Sequence, residues 1–354
     1  MNQNKKTLLL IQVLRGAASL LVVLLHITTN MADSFGQAFL GNIFLFGGSG
    51  VDVFFVLSGF IIAYANMHFL GKPAALPVFA KRRLNRIFPI YWIVITGFLI
   101  LMLALPSFYR THFDTSPSNL LSTYLLLPRH IMLNGVSWSL TNELFFYLIF
   151  TIGLFIPKPR YSFYLLIAYF IFLLVFAIAV PANPDRNAYL ELLLFPMNLE
   201  FLMGVIVAVL VQSKPRFNPF LMLGLGIAWF LAGAVLHNTN VTLIGPASNQ
   251  ELSRVLLFGV SSFLIVYAVV TIELSRNIKV HPLLLSLGDA SYSIYLIHLP
   301  IVSAYFKILN KAGISSPALV TVAAFVILLL VAALGIFVYN YIEKPLIKKL
   351  NKIY

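Results

Sequence analysis

Arg15 and His26 stand eleven residues apart inside the first long apolar segment, with Gly16-Ala17-Ala18-Ser19-Leu20-Leu21-Val22-Val23-Leu24-Leu25 between them. Eleven helical steps of about 100° return to within roughly 20° of the start, so the two side chains share one face, roughly 16 Å apart along the axis. A charged arginine inside a lipid-spanning helix costs at least ~2.5 kcal/mol on the insertion scale. That face is therefore expected to line a polar cavity. A fixed cation sits at one end of it and a titratable imidazole at the other, an arrangement suited to catalysis.

The rest of the chain places this helix in a membrane. A soluble domain carries about a quarter of its residues charged. Here 10% of 354 residues are charged and 60% are hydrophobic, with a mean hydropathy of +0.94. No polar stretch is long enough for a sizeable soluble domain, so residues 1–354 are expected to form one membrane domain with no appended soluble domain. The net charge of +13 does not point to nucleic acid. The basic residues sit between apolar segments, as topology signals do, and no basic arm or zinc spacing accompanies them. The chain has no cysteine, which excludes disulfides, thiolate metal sites and a cysteine nucleophile; no metal is expected. Lys5 and Lys6 before an apolar run resemble a signal peptide, but Arg15 interrupts the run and no small-residue cleavage site follows.

Apolar windows of roughly twenty residues recur between polar breaks. They predict an all-α, polytopic bundle of about ten spans, near 8–28, 44–65, 89–106, 137–156, 161–180, 193–212, 219–237, 255–273, 286–306 and 318–341. Leu120–Leu127 is too short to span and is expected to lie at the interface or re-enter. Lys5, Lys6, Lys72, Lys81, Arg82, Arg83, Arg86, Lys158, Arg160, Lys214, Arg216, Arg276, Lys279 and the C-terminal lysines fall on one side. Arg110, Arg129, Arg186, Arg254, Lys307 and Lys311 fall on the other. The positive-inside rule then puts both termini in the cytoplasm, as an even number of spans requires. Anionic lipid is an expected contact of the basic side.

Several further groups are candidates for the site. Arg82, Arg83 and Arg86, three and four apart, would form one patch before the third span. Arginine forks suit phosphates, so the patch fits a phosphate-bearing donor such as acyl-CoA. Helix two carries Gly47-Gly48-Ser49-Gly50-Val51-Asp52-Val53-Phe54-Phe55-Val56-Leu57-Ser58-Gly59-Phe60. Its glycines mark close helix packing, whereas Asp52 needs a partner or a ligand. Helix four opens Ser137-Trp138-Ser139-Leu140-Thr141-Asn142-Glu143. Ser137 resembles an N-cap, Trp138 an interfacial anchor, and Glu143 a carboxylate that orients His26 or acts as a base. Helix nine carries Ser291-Tyr292-Ser293-Ile294-Tyr295-Leu296-Ile297-His298, with Tyr295 and His298 able to face the same way. Asn30 lies one turn beyond His26, and Glu200 is a further intramembrane carboxylate.

Taken together and in this order, the Arg15–His26 stretch, Gly50–Phe60, Arg82–Ile87, Ser137–Glu143 and Ser291–His298 resemble the acyltransferase family 3 membrane proteins. These mostly O-acylate bacterial surface carbohydrates. The resemblance covers essentially the whole chain. It implies a ten-helix core in the bacterial inner membrane, a cytoplasmic acyl-CoA donor, usually acetyl-CoA, and a glycan or glycolipid acceptor reached from outside. It also implies that Arg15 and His26 are the essential pair and that Arg82, Arg83 and Arg86 matter for activity.

The expected site follows from both readings. Arg15, His26 and Glu143 carry the chemistry. Arg82, Arg83, Arg86, Ser58 and Tyr295 lie along the donor. Asp52, Asn30, Trp138 and His298 meet the acceptor. Acyl-CoA enters from the cytoplasm, its arm passes Arg15, and His26 takes the proton of a sugar hydroxyl while Glu143 orients the imidazole. The alternative from another class is a transporter of a polyprenyl-linked glycan or lipid, which also needs charged groups in a cavity.

Overall fold

The computed structural model describes residues 8–105, 115–129, 132–181, 183, 185–213, 217–239, 243 and 250–352. Lys5, Lys6, Arg110, Lys214 and Arg216, which enter the charge argument, lie outside them. Among the described residues, 10 helical segments are long and apolar enough to cross a membrane, as the hydropathy pattern predicts. The chain is thus a multi-pass membrane helix bundle. Successive spans run in opposite directions, so the two ends of the bundle are called here the basic end, where α1 starts, and the far end.

The elements are α1 (Leu9–Phe35), α2 (Ser49–Asn66), α3 (Leu76–Ala104), the short α4 (Pro117–Leu125), α5 (Trp138–Phe155) and α6 (Pro159–Ala179). There follow the short α7 (Ala188–Leu194), α8 (Asn198–Gln212), α9 (Pro219–Asn238) and α10 (Gln250–Ser275). The short α11 (Pro282–Asp289), α12 (Ser291–Lys311) and α13 (Pro317–Lys352) complete the chain. Both α10 and α13 contain one π-helical turn, Val255–Gly259 and Tyr339–Glu343.

Helix α1 runs through the middle, touching α2, α10, α11, α12 and α13. Its free N-terminal N–H groups are met from α10: Leu10 N donates to Glu273 Oε2 at 2.9 Å, and Leu9 N donates to the same carboxylate. It ends at Gly36, whose φ of 64° is the left-handed cap conformation that an L side chain adopts only under strain. The glycines of α2 do what small residues do in membrane helices. Gly50 lies against the backbone of Ala18 on α1. Gly59 lies against the backbone of Phe201 on α8, and Gly204 of α8 answers against Val56 and Phe60. A side chain at any of these positions would push two backbones apart. The spans α6 and α9 are peripheral, with only 11% and 17% of their apolar windows buried.

Two expectations change. The third span does not begin after the arginines; α3 starts at Leu76 and continues through Pro89, so Arg82, Arg83 and Arg86 are helical residues in its first turns. The ninth span is broken at Ala290, which separates α11 from α12 and lets Gly288 approach the backbone of Gln12 on α1. The short apolar stretch forms α4, which docks on α3 through Tyr91 Oη donating to Thr123 O at 2.7 Å and Trp92 Nε1 donating to Tyr124 O at 2.9 Å.

Candidate active site

The cavity that Arg15 enters lies between α1, α2, α3, α5 and α12 and measures about 110 Å³. This is room for a cluster of waters or a thin flexible chain. Arg15 sits in it because Nε and an Nη donate to Ser291 Oγ at 3.2 and 3.1 Å, which ties α1 to the first turn of α12. Arg83 and Arg86 line the same space from α3. Arg83 lies 5.8 Å from the Phe79 ring and 5.7 Å from the Tyr147 ring, and its buried Nε has no hydrogen-bond partner. A buried guanidinium N–H without an acceptor is costly, so this atom is a ready donor to an incoming anion. Arg82 differs: it is exposed, one helical step round from Arg83. The patch expected from spacing is therefore split, with Arg83 and Arg86 in the cavity and Arg82 on the surface.

Glu143 lines this cavity too and balances part of its positive charge. It accepts from Ser58 Oγ at 3.3 Å and from Tyr147 Oη. These bonds hold it in the cavity with Arg15, Arg83 and Arg86, and among the described residues its hydrogen bonds go to Ser58 and Tyr147.

The partner of His26 is His298. The two rings stack with centroids 5.0 Å apart and planes 13° from parallel. His298 is fully buried, its Nδ1 lies 2.6 Å from Tyr295 O and 3.3 Å from Ile294 O, and its Nε2 has no partner. Two carbonyls around Nδ1 require a proton there, which leaves Nε2 as the unprotonated acceptor. Sequence reasoning set His298 among acceptor-binding residues. The signal that it pairs with His26 is depth: α1 and α12 run in the same direction, and Ser291, His298 and Ser303 meet Arg15, His26 and Asn30 in turn. Asn30 donates to His26 O at 2.8 Å and accepts from Ser303 Oγ at 2.8 Å, so it clamps the helices instead of facing a ligand.

Tyr295 connects the two groups. It lines the arginine cavity, its hydroxyl lies 2.7 Å from Ser139 Oγ and donates to Val136 O at 3.0 Å, and its ring is 5.7 Å from that of His298. Ser291, Tyr295 and His298, at i, i+4 and i+7 on α12, thus trace one face from Arg15 to the histidine pair.

Asp52 does not belong to this constellation. It is fully buried and held by Arg254, whose Nε donates at 3.0 Å and whose Nη donates at 2.7 Å. The same Nη reaches Gly48 O at 2.6 Å. Glu200 packs against Asp52 and beneath Gly259, the last residue of the π-helical turn in α10. Arg254, expected in an outer loop, is in α10, and Asp52 is a structural anion. Trp138, expected as an interfacial anchor, is half-buried. Its ring meets Phe55 and Phe195 edge-on at 6.0 and 5.7 Å. Ser137 makes no side-chain cap; its carbonyl accepts the first α5 bonds, from Leu140 N at 3.0 Å and Thr141 N at 3.2 Å.

Comparison with known proteins adds an independent line. Residues 9–339 match the family-3 acyltransferase domain. The chain is 30% identical to the exopolysaccharide production protein ExoZ of Rhizobium meliloti (strain 1021), over 87% of this chain and 92% of that protein. It is 26% identical to the acyltransferase MdmB of Streptomyces mycarofaciens, over 96% of this chain and 91% of that protein. No solved structure matches the chain.

Proposed function

This chain belongs to the family-3 acyltransferases, and on that premise we propose that it moves an acyl group, acetyl in the simplest case, from acyl-CoA to a hydroxyl of a glycan across the bacterial inner membrane. The name of the ExoZ relative favours a polysaccharide acceptor. The positive-inside rule makes the basic end cytoplasmic, with Lys72, Lys81, Arg82, Lys158, Arg160, Arg276 and Lys279 near it.

The observation that carries the reading is the single line of polar groups from Arg83 and Arg86, past Arg15 and Ser58, to Tyr295 and the His26–His298 pair. A CoA-type donor is anionic at one end and reactive at the other, joined by a thin flexible arm. Arg83 and Arg86 hold phosphate at the cavity mouth, the unpartnered Nε of Arg83 supplying one donor. Arg15 meets the carbonyls of the arm. The ~16 Å from Arg15 to His26 then sets how far the thioester reaches.

His26 acts as general base. It takes the proton of the acceptor hydroxyl as that oxygen bonds to the thioester carbonyl carbon. The C–S bond breaks, and the thiolate leaves and regains a proton from the imidazolium. His298, fixed by its carbonyl contacts, holds the His26 ring plane by stacking. Glu143, through Ser58 and Tyr147, offsets the arginines and shapes the donor channel.

Calorimetric titration of acetyl-CoA into detergent-purified protein tests the donor. Saturable binding that is lost in an Arg83→Ala, Arg86→Ala variant supports the reading. A folded wild-type protein that neither binds acetyl-CoA nor releases free thiol from it overturns the donor and returns weight to transport.

A further inference from the structure

On the far-end side of α5 lies a second polar space, a groove of about 220 Å³ between α5, α7 and the segment after α4. Helix periodicity explains how one helix serves both spaces. Trp138, Thr141 and Asn142 fall on one side of α5 and line the groove, whereas Ser139, Leu140 and Glu143 face the arginine cavity. The first two turns of α5 are thus a wall with a site on each face.

The lining has an unusual chemistry for a membrane protein. Thr141 Oγ1 and Asn142 Nδ2 are buried and have no hydrogen-bond partner, although each residue is only 5% exposed. Buried polar atoms without partners are rare and costly, so a pair of them on one groove wall points to an external partner. The ring of Trp138 stands beside them, held by Phe55 and Phe195. Arg129 and Glu191 stand on the remaining walls. Each is already engaged on its outer side: Arg129 Nε donates to Ser122 Oγ at 3.0 Å, and Glu191 pairs with Arg186 at 3.0 Å. One cation and one anion leave the groove without a dominant sign.

We propose that this groove is the acceptor subsite and that it holds one neutral sugar ring of the glycan, its C–H face against Trp138 and its hydroxyls on Thr141, Asn142 and Glu191. The assignment rests on the acyl-transfer reading above and names the place of the acceptor within it. A lipid tail would leave the Asn142 amide and Thr141 hydroxyl unpaired. A phosphate or nucleotide would meet Glu191 as well as Arg129. An uncharged polyol with one apolar face satisfies every wall, and the volume is below the roughly 300–1,000 Å³ of pockets for drug-sized ligands. The groove is also coupled to the catalytic helix. The segment before α5 is bonded to α12 by Asn134 Nδ2 donating to Leu296 O at 3.1 Å and by the Tyr295 hydroxyl on Val136 O, both within a turn of His298.

The test uses the full chain in a detergent that contains no sugar. Saturation-transfer NMR is recorded with methyl glycosides of glucose, galactose and N-acetylglucosamine, without acyl donor. Transfer to ring protons of at least one glycoside is expected, and it should fall by about tenfold in Asn142→Leu and in the near-isosteric Thr141→Val, whose folding is checked by thermal melting. No transfer from any of the three to the wild-type protein overturns the subsite, as does transfer that both folded variants retain. Release of thiol from acetyl-CoA is followed separately on the same samples. Turnover without glycoside contact sinks the groove and leaves the enzyme reading standing. Glycoside contact without turnover does the reverse.

Discussion

Two buried clusters of charge sit in this bundle, and they differ in how their arginines are paired. Around Asp52, one arginine satisfies a carboxylate through two donors and also reaches Gly48 O, between α2, α8 and α10, while both oxygens of the neighbouring Glu200 have no hydrogen-bond partner. Around Arg15, three arginines face Glu143 across a cavity, with Glu343 close by on Ser293, and one guanidinium N–H has no acceptor. Ionisable side chains inside a membrane are costly in both places. Where the arginine is paired internally, the cluster fixes the fold. Where it is left open, the cluster waits for a ligand. Membrane depth and residue type alone do not distinguish the two cases; the pairing of the cations does.

The largest effect should come from breaking the closed cluster. Arg254→Ala leaves Asp52 as an uncompensated buried charge, expected to cost about 3–5 kcal/mol and to strip the bundle of folded yield and thermal stability. The double change Asp52→Leu, Arg254→Met should restore most of that stability. A melting temperature unchanged in the single variant would show that the cluster is not structural. Next is His26→Ala, for which thiol release from acetyl-CoA in the presence of acceptor should fall by ~10²–10⁴ with the melt unaltered. Comparable turnover in a well-folded sample would remove His26 as base.

Opening the second cluster further should touch binding and leave the fold alone. Arg83→Ala should raise the KM for acyl-CoA by about tenfold or more, the value of a hydrogen bond to a charged group, with no loss of melting temperature. A stability loss like that of Arg254→Ala would erase the contrast between the clusters. The smallest effect is expected for Arg82→Ala, where donor KM should stay within about twofold because an exposed surface charge contributes little. A change as large as that for Arg83 would mean that the donor's phosphates lie along the outside of α3.

Much of this was legible in the residues. Spans of apolar length appear wherever lipid must be crossed, because backbone hydrogen bonds have no other partner there. The helices predicted near 8–28 and 44–65 accordingly reappear as α1 and α2. Arg15 betrays its cavity by its cost in lipid, and the glycines of α2 betray close helix crossings. The arginines near the start of α3 were visible as a run, but which of them turn inward depends on where the helix begins. Hydropathy set that start at 89, whereas the structure sets it at Leu76, since the basic first turns of α3 are helical but too polar for an apolar window to include.

The sequence by itself determined the class of protein, the number of spans and the face that joins Arg15 to His26, because those follow from local periodicity and from the solvent each residue tolerates. Only the tertiary structure decided partners. Asp52 met Arg254 across 202 residues, and Ser58 met Glu143 across 85. His26 met His298 because α12 runs beside α1 in the same direction, an alignment set by side-chain packing between helices far apart in the chain.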